Sequence, residues 1–389
     1  MVQTRILLLG STGSIGTSAC NCVRRYPARF KLTGLAANSN VSLLCAQIDE
    51  FRPSWVYAAQ PDAARRVRES LPRGTKLLEG PEGLERIVND AEYDVLLNAL
   101  VGAVGLRPTV AALRRNKRVA LANKESLVIG GDCIMKLLRQ GYGELIPVDS
   151  EHSAILQCLA GENHGSVESI VLTASGGPFR QTPAEKFRDI TPAQALNHPT
   201  WSMGKKITVD AGTLMNKGFE VIEAHHLFHL PYDRLRVMIH PQSIVHSMVE
   251  FHDGAVMAQC GLPDMELPIQ FALSYPERLP LTGRRLNLAQ VGSLTFFEPD
   301  FDKFPCLKLC IEAGRRGGSF PVALNAANEL AVQWFLEGKI RFDHIAAVVR
   351  LAMEKHAFAA ADSVEIIEGI DRATRQSVME SLTEFGSKK

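Results

Sequence analysis

The sequence predicts an α/β protein with a parallel sheet at its N-terminus, a central α+β domain and a C-terminal helical bundle. Three observations predict this. Over the first 150 residues, short apolar runs alternate with helical patterns, the rhythm of a parallel sheet covered on both faces. Beyond residue 150 the strand candidates crowd together. From about residue 306 the apolar spacing is helical to the end.

The elements follow in order. RILLLG (5–10) is the first strand, and residues 14–26 form a helix broken at Pro27. KLTGLAA (31–37) is a strand and 41–51 a helix. WVYAA (55–59), KLL (76–78), DVLLNAL (94–100), RVALA (118–122) and ELIPV (144–148) continue the strand series, with helices over 106–116 and 124–139. In the middle of the chain SIVLTAS (169–175), RVMIH (236–240), IVHSMVEF (244–251) and AVMAQCG (255–261) are strands, the last ones spaced for antiparallel pairing. Residues 276–305 carry four prolines and little periodicity, so they read as a connection. Helices over 306–314, 321–337, 343–356 and 364–384 close the chain, and the tail GSKK is expected to fray. The expected domains are therefore 1–149, 150–275, a linker at 276–305 and 306–389.

Composition narrows the function classes. Forty-three basic and 42 acidic residues give a net charge of +1. No global field draws this chain to nucleic acid or to an anionic membrane, so an anionic ligand must be held by a local site. No apolar run reaches the roughly 20 residues a membrane span needs, and a cytoplasmic protein is expected. The eight cysteines form no C-x-x-C pair and read as buried, reduced thiols.

Four stretches carry chemistry-bearing residues. GSTGSIG (10–16) places glycines at 10, 13 and 16 between a strand and a helix. That is a variant of the dinucleotide fingerprint of Rossmann-type sheets, in which backbone N–H groups approach a pyrophosphate at a helix N-terminus. An ordinary tight turn is the plainer alternative, and the order strand–glycines–helix favours the nucleotide. At the end of the second strand AANSN (36–40) has no acid to bind a ribose 2′-OH, which leans toward NADP. LANKESL (121–127) puts Lys124 at the carboxyl end of a strand, in a ligand crevice or simply at a helix start capped by Asn123. PVDSEHSA (147–154) holds Asp149 and Glu151, which face one side if the backbone is extended. Such a pair suits a hard divalent ion, although on this stretch alone a helix N-cap at Asp149 or Ser150 is the better reading. Finally TASGGPFR (173–180) offers an anion-binding nest beside Ser175. In HPTWSMGKKITVDAGTLMNKGFEVIEA (198–224) a cationic loop over 198–206 can close as a flap. There Asn216 and Glu220 share one face if the segment is helical. His152, His240 and His246 read as packed histidines, and His225, His226 and His229 as a helix surface.

Taken together, GSTGSIG, ANKESLV, PVDSEHSA, ASGGPFR, HPTWSMGKKI, MNKGFEVIEA, IHPQSIVHSMV and LNAANE occur in order across residues 10–329. This set closely resembles the 1-deoxy-D-xylulose-5-phosphate reductoisomerase family. The resemblance implies an enzyme that rearranges and reduces 1-deoxy-D-xylulose 5-phosphate to 2-C-methyl-D-erythritol 4-phosphate in isoprenoid biosynthesis. It implies NADPH and a divalent metal (Mg²⁺, Mn²⁺ or Co²⁺) as cofactors and a homodimer as the assembly. By position it implies metal ligands at Asp149, Glu151 and Glu220, and cofactor contacts at Thr12, Gly13, Ser14, Ile15, Ser39, Asn40, Asn123, Glu125 and Gly204. Substrate contacts are implied at Lys124, Ser150, Glu151, Ser175, His198, Trp201, Met203, Asn216, Lys217 and Glu220, with catalytic roles for Lys124, Glu151 and His198. Two departures stand out. ANSN replaces the AGKN or AGRN of other members, and Ala211 replaces a phosphate-binding serine.

Two other function classes fit parts of the pattern. A Rossmann-type dehydrogenase of an amino-acid semialdehyde would use a cysteine nucleophile or a lysine–aspartate pair without metal carboxylates, and no cysteine follows a suitable strand. A non-catalytic nucleotide sensor would leave the acids as surface groups.

Overall fold

The computed structural model describes residues 3–201, 203–281, 283–381 and 385. The GSKK tail and the last three residues of the helix expected over 364–384 lie outside the described residues. Two compact units make up the chain. One comprises Met1–Ser126, Ile134–Asp149 and Asp264–Thr282, and the other Leu127–Cys133, Ser150–Pro263 and Gly283–Lys389.

In the first unit, among the described residues, seven parallel strands form one sheet: β1 (Thr4–Leu9), β2 (Phe30–Ala37), β3 (Trp55–Ala58), β4 (Lys76–Glu79), β5 (Val95–Asn98), β6 (Arg118–Leu121) and β7 (Glu144–Pro147), in the order β4-β3-β2-β1-β5-β6-β7. The chain steps outward from β1 to β4, then returns to place β5 against the other side of β1. Strand order thus reverses between β1 and β5, the point where open α/β sheets leave a crevice at the carboxyl ends. Ile6, Leu7, Leu8 and Leu9 are buried, as a central strand covered on both faces requires. β5 ends at Asn98, short of the expected residue 100. Its amide turns into the protein, with Nδ2 donating to the Gly105 carbonyl and to Thr109 Oγ1 at 2.9 Å each.

The sequence gives no reason to place 264–282 with the first unit, and ion pairs explain it. Helix Glu266–Ser274 packs on helix Ser14–Arg25, where Arg25 Nη2 meets Glu266 Oε2 at 2.6 Å. Arg29 pairs with Glu277, and Arg118 Nη1 donates to the Tyr275 carbonyl at 2.8 Å.

In the second unit, β8 (Val167–Ala174), β9 (Leu235–Ile239), β10 (Val245–Phe251) and β11 (Val256–Cys260) form a sheet in the order β11-β10-β8-β9. β8 and β9 are parallel, and the other two pairs are antiparallel. Helix Ser150–Cys158 packs on β10 and β11, and helix Met215–Phe228 packs on β8, β9 and helix Pro305–Arg316. Gly218 makes that last approach possible, since a Cβ there would lie 2.4 Å from Cys310 Cβ. The C-terminal helices Phe320–Leu336, His344–Lys355 and Val364–Glu380 belong to the same unit as the sheet. An aromatic cluster fuses them: Phe342 stands edge-on to Phe179 and to Phe187, with ring centroids 5.1 and 5.7 Å apart, and Phe187 meets Phe304 at 5.6 Å. The segment expected as a bare connection holds a short helix, Leu288–Val291, and Phe297 adds an antiparallel bridge to Ile239.

All eight cysteines are free thiols. Among the described residues no helix is long and apolar enough to cross a membrane.

Candidate metal, phosphate and cofactor site

The glycine turn is built by backbone geometry. Gly10 has φ +81°, and a Cβ on it would lie 2.4 Å from the Ala99 carbonyl oxygen. A Cβ on Gly16 would lie 2.3 Å from the Gly10 oxygen. The N–H groups of Gly10 and Ser11 both donate to the Ala36 carbonyl at 2.9 Å, which ties the turn to the end of β2. Helix Ser14–Arg25 begins at Gly13 without a side-chain cap and without an acid in its first turn. Its orphan N–H groups are therefore suited to an anion. Thr12 and Ile15 are half-buried; Gly13 and Ser14 are exposed. Ser39 and Asn40 are also exposed, and Asn40 Oδ1 accepts from the Leu43 N–H at 3.3 Å as the cap of helix Val41–Phe51.

The helix-cap reading of LANKESL holds. Asn123 caps helix Lys124–Arg139 by accepting from the Ser126 N–H at 2.9 Å. Its Nδ2 donates to the carbonyls of Leu100 and Gly102 at 2.9 and 3.0 Å and to Glu125 Oε2 at 3.0 Å. The loop after β5 is thereby pinned beside the glycine turn, and Val101 and Val104 stand exposed on it. Lys124 Nζ donates to Asp149 Oδ2.

Asp149 and Glu151 do not lie on an extended backbone, as the spacing argument supposed. β7 ends at Pro147 and the next helix starts at Ser150, so Asp149 closes the turn and Glu151 sits in the first helical turn. Even so, one oxygen from each of Asp149, Glu151 and Glu220 lies within 4.8 Å of the others. Glu220 is 1% exposed. It is held on helix Met215–Phe228, where Asn216 and Glu220 share one face as expected: Asn216 Nδ2 donates to Glu220 Oε1 at 2.6 Å. Lys217 Nζ donates to Glu151 Oε1 at 2.7 Å and also to Glu220 Oε2. Ser150 Oγ donates to Glu151 Oε2. Three carboxylates this close repel unless cations offset them; the ammonium groups of Lys124 and Lys217 do so here. The donor set is all oxygen, anionic and compact, which fits a hard divalent ion.

Ser175 lies apart from Asn216 and Lys217 in its bonding. Its Oγ accepts from the Gly177 N–H at 3.2 Å and lies 3.2 Å from His198 Nε2. His198 Nδ1 accepts from the N–H groups of Thr200 and Trp201 at 3.2 and 2.9 Å. That fixes the proton on Nε2, so the ring donates to Ser175. Burial holds the His198 pKa below 6.5. Gly176 and Gly177 are both left-handed, and a Cβ on Gly177 would lie 2.5 Å from the Ala211 oxygen. The SGGP nest therefore abuts Ala211. Trp201 is half-buried, with its ring 6.3 Å from that of His246. Met203 is half-buried, and Gly204 is the N-cap of helix Lys205–Gly212.

Two groups read from sequence as bystanders touch this site or pack differently. His152 is fully buried with Nε2 2.9 Å from the Glu220 carbonyl; its place in the run DSEH was the available signal. His225 and His226 are not a surface stripe. His225 Nδ1 donates to the Leu230 carbonyl at 2.7 Å, its ring stacks on Tyr232, and the His226 ring packs against Gly131.

Family models described as 1-deoxy-D-xylulose 5-phosphate reductoisomerase match residues 6–131, its C-terminal domain residues 145–228, and DXP reductoisomerase C-terminal domain residues 260–377. The chain is 50% identical over 375 residues to the 1-deoxy-D-xylulose 5-phosphate reductoisomerase of Chloroherpeton thalassium, covering 96% of this chain and 97% of that one. The chain belongs to the 1-deoxy-D-xylulose 5-phosphate reductoisomerase family. The reductoisomerase of Pelotomaculum thermopropionicum is 51% identical over 372 residues, covering 95% and 96%. A crystal structure of DOX-P reductoisomerase in complex with NADPH, fosmidomycin and magnesium superposes with a TM-score of 0.93 at 40% identity, covering 98% of each chain. The Zymomonas mobilis reductoisomerase in complex with NADPH gives 0.91 at 37%, covering 98% and 99%. The reductoisomerase fold accounts for all three regions expected from sequence: parallel sheet, α+β region and C-terminal helices.

Proposed function

We propose that this chain converts 1-deoxy-D-xylulose 5-phosphate to 2-C-methyl-D-erythritol 4-phosphate, using NADPH and one divalent cation held by Asp149, Glu151 and Glu220. It is an NADP-dependent oxidoreductase and isomerase. The observation that carries this reading is the convergence of those three carboxylates within 4.8 Å. A divalent ion bound there supplies Lewis acidity toward vicinal substrate oxygens.

The chain's own residues do the rest. Lys124 holds Asp149 in place and presents an ammonium to charge that develops during the rearrangement. Ser150 reaches a substrate hydroxyl, and Glu151 serves both ion and substrate. Ser175, Asn216 and Lys217 form the phosphate pocket beside the SGGP nest. His198, kept neutral by burial with its proton on Nε2, orients Ser175 and closes with Trp201 and Met203 over the sugar to exclude water. On the cofactor side, Thr12, Gly13, Ser14 and Ile15 supply the helix N-terminus for the pyrophosphate. Ser39 and Asn40 take the 2′-phosphate, Asn123 and Glu125 hold the crevice wall, and Gly204 adds a contact from the flap. Val101 and Val104 offer an apolar face at the crevice. The assembly is a homodimer.

The test is NADPH oxidation with deoxyxylulose phosphate, with and without chelator, followed by Mn²⁺ add-back. Turnover that needs the metal and returns on add-back is expected. Turnover that survives thorough chelation would point instead to a metal-free dehydrogenase.

A further inference from the structure

Two of the three residues assigned to the substrate phosphate, Asn216 and Lys217, are engaged elsewhere in this structure. Asn216 Nδ2 donates to Glu220 Oε1 at 2.6 Å. Lys217 Nζ is shared between Glu151 Oε1, at 2.7 Å, and Glu220 Oε2. Both oxygens of Glu220 thus carry a donor, and the ammonium lies between two carboxylates, where a metal ion's charge would be most favourable. The Lys217 side chain is 3% exposed and that of Glu220 1%, so solvent screens this arrangement weakly.

We infer that Asn216 and Lys217 act as an exchangeable stand-in for the metal, and that metal entry transfers them from the carboxylates to the substrate phosphate. The inference rests on the site reading above. Its physical basis is competition for the same lone pairs and the same potential. A divalent ion needs one oxygen from each of Glu151 and Glu220, and it repels an ammonium held at contact distance from those oxygens. Lysine is suited to such an exchange, because its charge rides on a flexible stem and binds as a point charge rather than as a fork. Once displaced, the ammonium is stabilised by the nearest strong anion, which is the phosphate. Without the ion, a phosphate would have to strip Lys217 from the buried Glu220 and the half-buried Glu151 carboxylates while facing their repulsion. Phosphate binding is therefore conditional on metal, and by linkage metal binding is strengthened by phosphate to the same degree.

Methyl phosphate is the probe, because it carries the anion without the sugar's chelating oxygens. Titrations are made by calorimetry on the full chain, with Mn²⁺ binding followed separately by paramagnetic resonance. In the wild type, methyl phosphate is expected to bind about tenfold more tightly, or better, when Mn²⁺ is saturating. Lys217→Met keeps the stem and removes the competitor, so Mn²⁺ should bind about tenfold more tightly than to wild type while the coupling disappears. Lys217→Arg keeps the charge and should bind Mn²⁺ no more tightly than wild type, which separates loss of the cation from loss of packing. Asn216→Ala should shift Mn²⁺ affinity in the same direction as Lys217→Met, by less. Equal Mn²⁺ affinity in wild type and Lys217→Met overturns the inference and leaves the site reading intact. So does a coupling that persists in Lys217→Met, since the phosphate would then be touching the ion itself. A wild-type chain that binds no Mn²⁺ overturns both.

Discussion

The glycine turn of the first unit and the carboxylate cluster at Asp149, Glu151 and Glu220 are built in opposite ways. The turn is local. Seven consecutive residues hold it, and its requirements are steric: two positions where a Cβ would fall 2.3–2.4 Å from a backbone oxygen. The cluster is non-local. Its third member sits on a different helix, and its requirement is electrostatic: three like charges kept together by two lysines. Steric sites fail by unfolding or by losing the turn; electrostatic sites fail by losing chemistry while the fold survives.

That contrast can be broken from the cluster side first, where the largest effect is expected. Glu220→Gln removes one anionic ligand and should lower turnover by about 10³-fold with the unfolding midpoint almost unchanged. Steady-state NADPH oxidation and a denaturant melt together check this. A variant that unfolds instead would place Glu220 among structural groups. On the steric side, Gly10→Ala meets both a left-handed φ and a backbone clash with Ala99. It should cost roughly 3–4 kcal/mol of stability, read by denaturant unfolding, with NADPH binding lost in the fraction still folded.

A third substitution sharpens the boundary between the two kinds of site. Asp210 is 1% exposed and is held by Lys206 Nζ at 2.9 Å and Asn328 Nδ2 at 2.8 Å. It is charged like the cluster yet serves packing, joining helix Lys205–Gly212 to helix Phe320–Leu336. Asn328→Ala leaves a buried carboxylate oxygen short of a donor and should cost about 2 kcal/mol, with Mn²⁺ affinity unmoved. Ala211→Ser places a hydroxyl beside the SGGP nest. It should leave the KM for the sugar phosphate unchanged or lower it, by up to about 1.5–3 kcal/mol of binding; a clear rise in KM would count against a phosphate at that nest.

The smallest effect concerns pH. Burial holds His198, His344 and His356 below 6.5 in the folded chain. The unfolded chain then binds more protons in the window just under pH 6.5. Stability from these groups is fully present above 6.5 and declines as pH falls toward their folded values. Denaturant midpoints across that window should drop toward acid, and replacing His344 and His356 by glutamine should flatten the slope.

Much of the first unit was legible because its signals are local. Each of its seven strands is a short apolar run whose period and flanks announce it, and the structure moves the ends by a residue or two. Asn98 shows why the ends escape: a side chain that turns inward to Gly105 and Thr109 stops a strand that apolarity alone would extend. Domain membership was less legible. Helix Glu266–Ser274 follows the central strands in sequence, but Arg25, Arg29 and Arg118 draw its neighbourhood to the parallel sheet. The C-terminal helices read as a separate bundle, and Phe342, Phe187 and Phe304 bind them into the second unit. Surface charges and aromatic rings carry no address in the sequence, so their partners appear only when the chain is folded.

By itself the sequence determined the parallel sheet, the glycine turn and the residue types of the carboxylate cluster and of the proposed phosphate site, because local propensity, period and motif order depend on neighbours along the chain. Only the tertiary structure decided that Glu220 reaches Glu151, that Lys217 lies between them, and that His152 backs Glu220 rather than joining the ligands. Those outcomes depend on how helices pack and where charges find compensation. Such forces act through space, between residues that sequence distance does not relate.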